Sequence, residues 1–457
     1  MSIGTISIIT RPGNFEREHF LNNPDITFFK SVYRKHTNFC KYLKSDNLLD
    51  NKIMTTNFGI NTHKIQTGSD DLLAKIYLEN QIIIESKDDL RESIRRDITI
   101  FANLGSNFIG NENDALSITI GNNRSLFKSD GLFQEVKGEL LNQMSLINSG
   151  TGTHAPELTV DGGIISCKNG SHYNYTTLSG GVRGIGSIYN SSFSDTNTLS
   201  TEYFYTIPEF SFMKDYGLAL PLLSMRNNNI NFNVKFKTPS ELMSFRNHQA
   251  NYNVKYNSNV IQELIQLDTE EKSRFLTSQL SYLTESIKST PIQTNPNPDI
   301  KSNLKLCKYI LLVGEPPTLN ASYNASNSKT VPSELNLKTL DITVGGPSIY
   351  SGAPLNKEIF TKININKYFI GCGRDLSEGT GSDNRRGQLD TIAMIPFSLN
   401  PLNYTQPSGC ISNEGQVGSI RLSIEKKDVQ KDLNMILYSV NYNILQISDG
   451  QAHILNV

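Results

Sequence analysis

Residues 22–39, which read NNPDITFFKSVYRKHTNF, are the most informative stretch of this chain. Pro24 biases the preceding residue away from helical backbone, and Asp25 or Thr27 can then cap a short helical turn. Phe28 and Val32 are four positions apart, as are Phe29 and Tyr33, so each pair shares one face of such a turn. We interpret the segment as an apolar plug with a structural role.

The same segment resembles the opening of the major capsid proteins of large icosahedral double-stranded DNA viruses, the nucleocytoplasmic large DNA virus type. The family pattern is roughly Asn-Pro-x-Ile-Thr-Phe-Phe-Lys-x-Val-Tyr-Arg-Arg-x-Thr-Asn-Phe, and Lys35 departs from it by a basic-for-basic exchange. The matching positions form a structural signature: Asn23, Pro24, Ile26, Thr27, Phe28, Phe29, Lys30, Val32, Tyr33, Arg34, Thr37, Asn38 and Phe39.

Four further landmarks of that family follow in the expected order. They are Gly217–Leu223 (GLALPLL), Leu267–Phe275 (LDTEEKSRF), Gln406–Cys410 (QPSGC) and Asn441–Leu445 (NYNIL). Two regions depart from the family: residues 225–229 read MRNNN where an aromatic-His-Glu pattern is usual, and residues 145–200 do not align. The resemblance therefore spans nearly the whole chain.

The resemblance implies an all-β fold of two consecutive eight-stranded antiparallel jelly-roll sandwiches with short helices and long loop insertions. It divides the chain into an N-terminal arm (residues 1–24), jelly roll 1 (residues 25–277) with an outward insertion near residues 145–200, and jelly roll 2 (residues 278–457). A length of 457 residues accommodates two sandwiches of roughly 200 residues each.

The implied function is that of a capsid protein whose homotrimers form pseudo-hexagonal capsomers that tile an icosahedral shell. Its implied partners are neighbouring capsomers and minor capsid proteins, with glycans on outer loops and at most indirect contact with an inner membrane. Assembly is expected in the host cytoplasm, and the final location is the virion. A minor or variant capsid paralogue of the same fold is the alternative, and a carbohydrate-binding β-sandwich protein is a third interpretation.

Composition excludes several other classes. A net charge of −1 with 19% charged residues provides no basic field for a phosphate backbone, so we expect no sequence-specific nucleic-acid binding. Five dispersed cysteines indicate neither a zinc site nor a disulfide framework. The N-terminus lacks a signal-peptide pattern, and no stretch has the roughly 18 apolar residues of a membrane span, so we expect a soluble cytosolic product.

Period-two alternation of apolar residues predicts strands with one buried and one wet face. The pattern recurs at Leu116–Ile120, Ile230–Phe236, Leu340–Val344, Ile420–Ile424 and Ile436–Ile444. Helical spacing predicts two helices, one over Ser86–Arg96 and one carrying Leu132, Phe133, Val136, Leu140 and Met144. We interpret both helices as covers over a sandwich edge or end.

The sequence contains none of the common catalytic motifs. The seven histidines contain no His-Glu-x-x-His pair, and neither a nucleophile elbow nor a phosphate loop occurs. Gly180–Gly186 is glycine-rich but lacks the strand-to-helix context of a nucleotide site. We therefore predict no enzymatic activity, no cofactor, no metal and no catalytic residue.

Overall fold

The computed structural model describes residues 36–53, 59–87, 99–102, 109–121, 124–141, 198–200, 204–238, 243–246, 252–315, 334–350, 354–369, 391–413 and 418–455. The chain divides into two compact units, Met1–Asn38 and Phe39–Val457, and the architecture given below is that of the second.

Two antiparallel sheets form the first sandwich. One sheet has the order β1-β11-β3-β7, with β8 also paired to β3, and the facing sheet has the order β2-β9-β5-β6. The strands of the first sheet are β1 (Phe39–Ile53), β3 (Leu72–Ser86), β7 (Thr198–Ser200), β8 (Phe204–Thr206) and β11 (Tyr252–Leu267). Those of the second are β2 (Asn61–Ile65), β5 (Leu116–Ile120), β6 (Arg124–Ser129) and β9 (Ile230–Val234), and a separate pair joins β4 (Thr99–Ala102) to β10 (Met243–Arg246).

The second sandwich is built in the same way. Its larger sheet has the order β12-β19-β13-β16, with β17 on β13 and β20 on β19, and its smaller sheet has the order β15-β14-β18. The larger sheet contains β12 (Leu280–Ile292), β13 (Leu306–Gly314), β16 (Ile392–Pro396), β17 (Ile411–Ser412), β19 (Met435–Ser448) and β20 (Gln451–Ile454). The smaller contains β14 (Thr339–Val344), β15 (Leu355–Asn356) and β18 (Ile420–Glu425).

The described helices are short. They are α1 (Gly131–Leu141), α2 (Thr269–Thr277) and α3 (Asn364–Tyr368), which continues from a π-helical turn at Ile359–Ile363. Single 3₁₀ turns occur at Ser211–Met213, Tyr216–Leu218 and Lys301–Asn303. The side chain of Asp268 caps α2 by accepting from the N–H of Thr269 at 2.6 Å, and α2 links the last strand of the first sandwich to β12.

The predicted strands are confirmed at β5, β9, β14, β18 and β19. In β9 the burial alternates as expected, with Ile230, Phe232 and Val234 enclosed and the residues between them partly exposed. For β19 the prediction of one wet face is wrong, because Leu437 lies in the core of the second sandwich while Tyr438 and Val440 pack under α1 on the opposite face. A strand that is covered on both faces has no solvent-exposed face.

The helix predicted over residues 132–144 is confirmed as α1 as far as Leu141, and Met144 lies outside the described residues. Ser86, the proposed start of the other helix, is instead the last residue of β3, and residues 88–98 lie outside the described ranges. Each sandwich has its own hydrophobic core, and the first also contains Leu445, Ile447 and Ala452 from the final hairpin.

Candidate functional site: the joint between the sandwiches

Helix α1 follows a strand of the first sandwich but packs on the second. Its buried side chains Leu132, Phe133, Val136 and Leu140 form one cluster with residues of β13, β16 and β19. The rings of Phe133 and Tyr438 lie 5.1 Å apart between centroids. The helix therefore joins the two sandwiches through an apolar contact, which is the kind of contact that suppresses movement between domains.

Asp130 fixes the start of α1. One carboxylate oxygen accepts from the backbone N–H of Phe133 at 2.7 Å and from the hydroxyl of Tyr438, on β19, at 3.1 Å. The first contact caps the helix and the second ties the cap to the other sandwich. Burial raises the pKa of Asp130 to about 6. Beside it lies a polar cleft of about 250 Å³, lined by residues 128–130 of the first sandwich and 287–289 of the second.

A buried cluster of charges lies further along α1. Lys137 contributes from the helix, Glu285 from β12 and Lys308 from β13, and all three side chains are buried. The two ammonium groups lie 3.0 and 2.7 Å from separate carboxylate oxygens of Glu285. Burial by itself would raise the pKa of Glu285, but the two lysines outweigh burial and hold that pKa at about 2. The ring of Tyr404 lies 5.4 and 5.0 Å from the two ammonium groups.

A β-bulge brings Lys308 to this cluster. The pairing of β13 with β19 matches Cys307 to Asn441 and Tyr309 to Val440, so Lys308 is passed over. A bulge re-aims the side chains on either side of it. Lys308 and Tyr309 can therefore both face α1, although neighbouring residues of a regular strand point to opposite faces.

The last hairpin also forms part of the joint, because it reaches from the second sandwich into the core of the first. Strands β19 and β20 turn at Asp449 and Gly450, which have φ values of 53° and 78°, and they insert apolar side chains into the first core. The backbone of Asn227 donates to the carbonyl of Gly450 at 3.1 Å, and the side chain of Asn228 accepts from the N–H of Ala452 at 2.9 Å. Residues 225–229, which depart from the family pattern, thus hold the C-terminal hairpin.

Little of the sequence signature lies within the described residues. Residues 23–34 of the signature, with Phe28 and Phe29, lie outside the described residues. Thr37 and Asn38 are exposed, and Phe39 begins β1 with 61% of its surface exposed. The buried role predicted for the two phenylalanines therefore stays a prediction.

Sequence reasoning identified the apolar residues of α1 but missed the charged residues of the joint. A lysine within the apolar run of β13 and a glutamate within β12 were the available signals, since charged residues are almost never fully buried unless they are paired. Across the described ranges, no three His, Cys, Asp or Glu side chains gather in a way that could hold a metal ion. No helix within those ranges combines the length and the apolar character that a membrane span requires.

Comparison with known proteins shows which solved structures share this architecture. No protein-family model matches the sequence, and no curated protein matches it either. Solved structures match over nearly the whole chain. VP54 of PBCV-1 is 16% identical with a TM-score of 0.61, over 94% of this chain and 99% of that one.

A PBCV-1 virus capsid model is 15% identical with a TM-score of 0.59, over 94% of this chain and 99% of that one. The Faustovirus major capsid protein is 12% identical with a TM-score of 0.56, over 93% of each chain. At these identities the likeness concerns the fold. With its two antiparallel sandwiches and its match along the full length of these structures, the chain has the double jelly-roll fold found in them.

Proposed function

We propose that this chain is a structural capsid protein, and that three copies form a pseudo-hexagonal capsomer of an icosahedral shell. The observation that carries the proposal is the joint, because it makes one block out of two sandwiches. Each sandwich contributes a hydrophobic element to its neighbour, α1 in one direction and the β19–β20 hairpin in the other. The fold shared with capsid structures over 93–94% of this chain supports the same conclusion.

A fixed angle between the sandwiches suits a tiling unit. Three copies of a two-sandwich block present six sandwiches around one axis, and flat tiling requires those six to keep their angles. Domains joined by small polar interfaces move by default, whereas a large apolar interface holds them. The solved structures that share this fold are capsid proteins, which supports a structural role for this chain over a catalytic one.

We propose the division of the chain that the resemblance implies: an arm at 1–24, a first jelly roll at 25–277 and a second at 278–457. The end of α2 at Thr277 falls at this division. The fold supports a location in the virion shell, and assembly in the host cytoplasm, minor-protein partners and glycans on outer loops remain part of the proposal.

Exposed apolar side chains offer material for contacts between copies. Leu399 is 87% exposed and Val429 is 82% exposed, and Phe39 and Leu43 lie exposed on β1, at the edge of its sheet. An edge strand with exposed apolar residues invites pairing or burial by another chain. Obligate interfaces between copies commonly bury on the order of 2,000 Å² or more.

The mass and outline of the purified full-length chain test the proposal. Light scattering should give three times the 51.0 kDa chain mass, and electron microscopy should show particles with a hexagonal outline. A cooperative thermal transition must accompany the measurement so that misfolded protein is not counted. A folded chain that stays monomeric at all accessible concentrations would contradict the trimer. The copy number per virion separates a major capsid protein from a minor paralogue of the same fold.

A further inference from the structure

The described charges of the cluster around Glu285 do not balance. Within the part of the chain whose side chains are described, Lys137 and Lys308 share the single carboxylate of Glu285, which leaves one positive charge over. Glu209, another buried carboxylate, is itself paired with Lys214. An uncompensated charge in a protein interior is strongly unfavourable unless something neutralises it or replaces its hydration.

Three buried hydrogen-bond donors near these charges have no acceptor within the described part of the chain. They are the hydroxyls of Tyr309 and Tyr404 and the side-chain nitrogen of Gln134. The orientation of Gln134 is set, since its oxygen accepts from the backbone N–H of Glu209 at 2.5 Å. Buried donors are nearly always paired in native proteins, so three unpaired ones in one region require an explanation.

These donors share the same surroundings. Burial, and after it the charge of Glu285, raises the pKa of Tyr309 well above its usual value, and Glu209 acts in the same direction. The pKa of Tyr404 is raised by burial and by the same two carboxylates. Both phenols therefore stay protonated and remain donors.

We propose that the buried cluster of Gln134, Lys137, Lys308, Tyr309 and Tyr404 binds one monovalent inorganic anion of the chloride type. An anion neutralises the surplus ammonium charge and accepts from donors that the protein leaves unpaired. A water molecule could accept from the hydroxyls but would leave the charge uncompensated. A cation is repelled, because the surplus charge is positive and the unpaired amide nitrogen of Gln134 can only donate.

Cation–π contacts offer the competing explanation. The ammonium of Lys308 lies 5.0 Å from the ring centre of Tyr404 and 5.1 Å from that of Tyr442, and Lys137 lies 5.8 Å from that of Phe133. Such contacts replace part of the lost hydration. They leave the hydroxyls unpaired, however, and this difference makes the two explanations separable.

The experiment measures the thermal unfolding midpoint of the full-length protein while sodium bromide replaces sodium gluconate at constant ionic strength. We expect a saturable rise of a few degrees for the wild-type protein, because a ligand bound only to the folded state raises its stability. Crystals grown in bromide should show an anomalous scattering peak among these five side chains. This inference does not depend on the capsid proposal, since a monomeric chain would bind the anion equally well.

Variants distinguish anion binding from cation–π contacts alone. Tyr309→Phe and Tyr404→Phe remove only hydroxyls, and each should lose most of the bromide-dependent rise, whereas cation–π contacts alone predict no change. Lys137→Met removes the surplus charge and should abolish the rise. Tyr350→Phe is the matched control, since this half-buried ring packs on Phe360 in the second sandwich and should keep the full rise.

Three results would overturn the proposal: a wild-type midpoint independent of bromide, Tyr→Phe variants with the wild-type response, or a site that contains only water in the bromide crystals. If Lys137→Met does not fold, the tyrosine variants and the anomalous map still give the answer.

Discussion

At the scale of single residues, the joint depends on charged groups that are buried only because they have partners. Asp130 is held by two donors and Glu285 by two ammonium groups. The environments act in opposite directions on the two carboxyls, since the pKa of Asp130 rises to about 6 and that of Glu285 falls to about 2. Their contributions to stability therefore appear in different pH ranges.

Asp130 should make the protein less stable as the pH rises from about 4 to about 6. The folded state keeps the proton up to about pH 6, whereas the unfolded chain releases it near 3.8, so the stability from this group is complete only below the lower value. The loss should reach about 3 kcal/mol above pH 6. Urea unfolding midpoints over this range should fall for the wild-type protein and fall much less for Asp130→Asn.

The half-exposed Asp428, which pairs with Lys431, provides the control. Asp428→Asn should keep the wild-type pH dependence. Lys237, whose charge lowers the pKa of Asp130, and Tyr438 remain in place in both variants. Equal pH slopes for the wild-type protein and Asp130→Asn would contradict the assignment.

Glu285→Ala should be strongly destabilising. It leaves two buried ammonium groups without a carboxylate, and breaking a buried pair by removing one partner typically costs about 3–5 kcal/mol. Joint replacement by Lys137→Met, Glu285→Leu and Lys308→Met should be far milder, because no buried charge is left behind. Urea unfolding measures both effects.

The exposed pair of Lys427 and Glu334 serves as the comparison. Glu334→Ala should change the free energy of unfolding by less than about 1 kcal/mol. A loss for Glu285→Ala as small as that for Glu334→Ala would show that the buried cluster contributes nothing to stability.

At the scale of elements, two short pieces hold the sandwiches together: α1 and the β19–β20 hairpin. The hairpin needs a tight turn with positive φ at both central residues, which favours the Asp-Gly sequence found there. Its tip then fits against residues 225–229. A side chain at Gly450 would meet the amide nitrogen of Asn227 at 2.7 Å.

Gly450→Ala should therefore lower the free energy of unfolding by roughly 1–3 kcal/mol. The new methyl group would displace Asn227, whose side chain also donates to the carbonyl of Asp449 at 3.3 Å. Gly345→Ala is the matched control, because Gly345 has a similar φ of 63° and its nearest contact to an added Cβ is an ordinary 3.9 Å. Thermal unfolding should show a larger loss at Gly450, and equal losses would mean that backbone strain alone is responsible.

At the scale of the whole molecule, the proposed capsid role predicts an outward insertion at residues 145–200, most of which lies outside the described residues. The segment is rich in Gly, Ser, Thr and Asn, and such loops are exposed and prone to cleavage. Limited proteolysis of intact particles should therefore cut here before it cuts either sandwich. Protection in particles combined with rapid cleavage in free trimers would instead place the segment between capsomers.

Local patterns in the sequence identified five of the strands, and its landmarks identified the fold class. Alternation along β5, β9, β14 and β18 is a local property, since side chains of an extended chain point to opposite faces whatever lies beyond them. The apolar positions of α1 likewise follow from helical spacing alone. The landmarks, which lie far apart in the sequence, led to the double jelly roll that the structure has.

What those faces touch depends on contacts between segments that lie far apart in the chain. Helical spacing marks the apolar face of α1 but does not say that it packs on the opposite sandwich, and alternation in β19 does not reveal a cover on both sides. Lys137, Glu285 and Lys308 meet because a helix, a strand and a β-bulge converge from positions up to 171 residues apart in the chain. Convergence of this kind depends on the register and packing of distant segments, and no local pattern of residues records it.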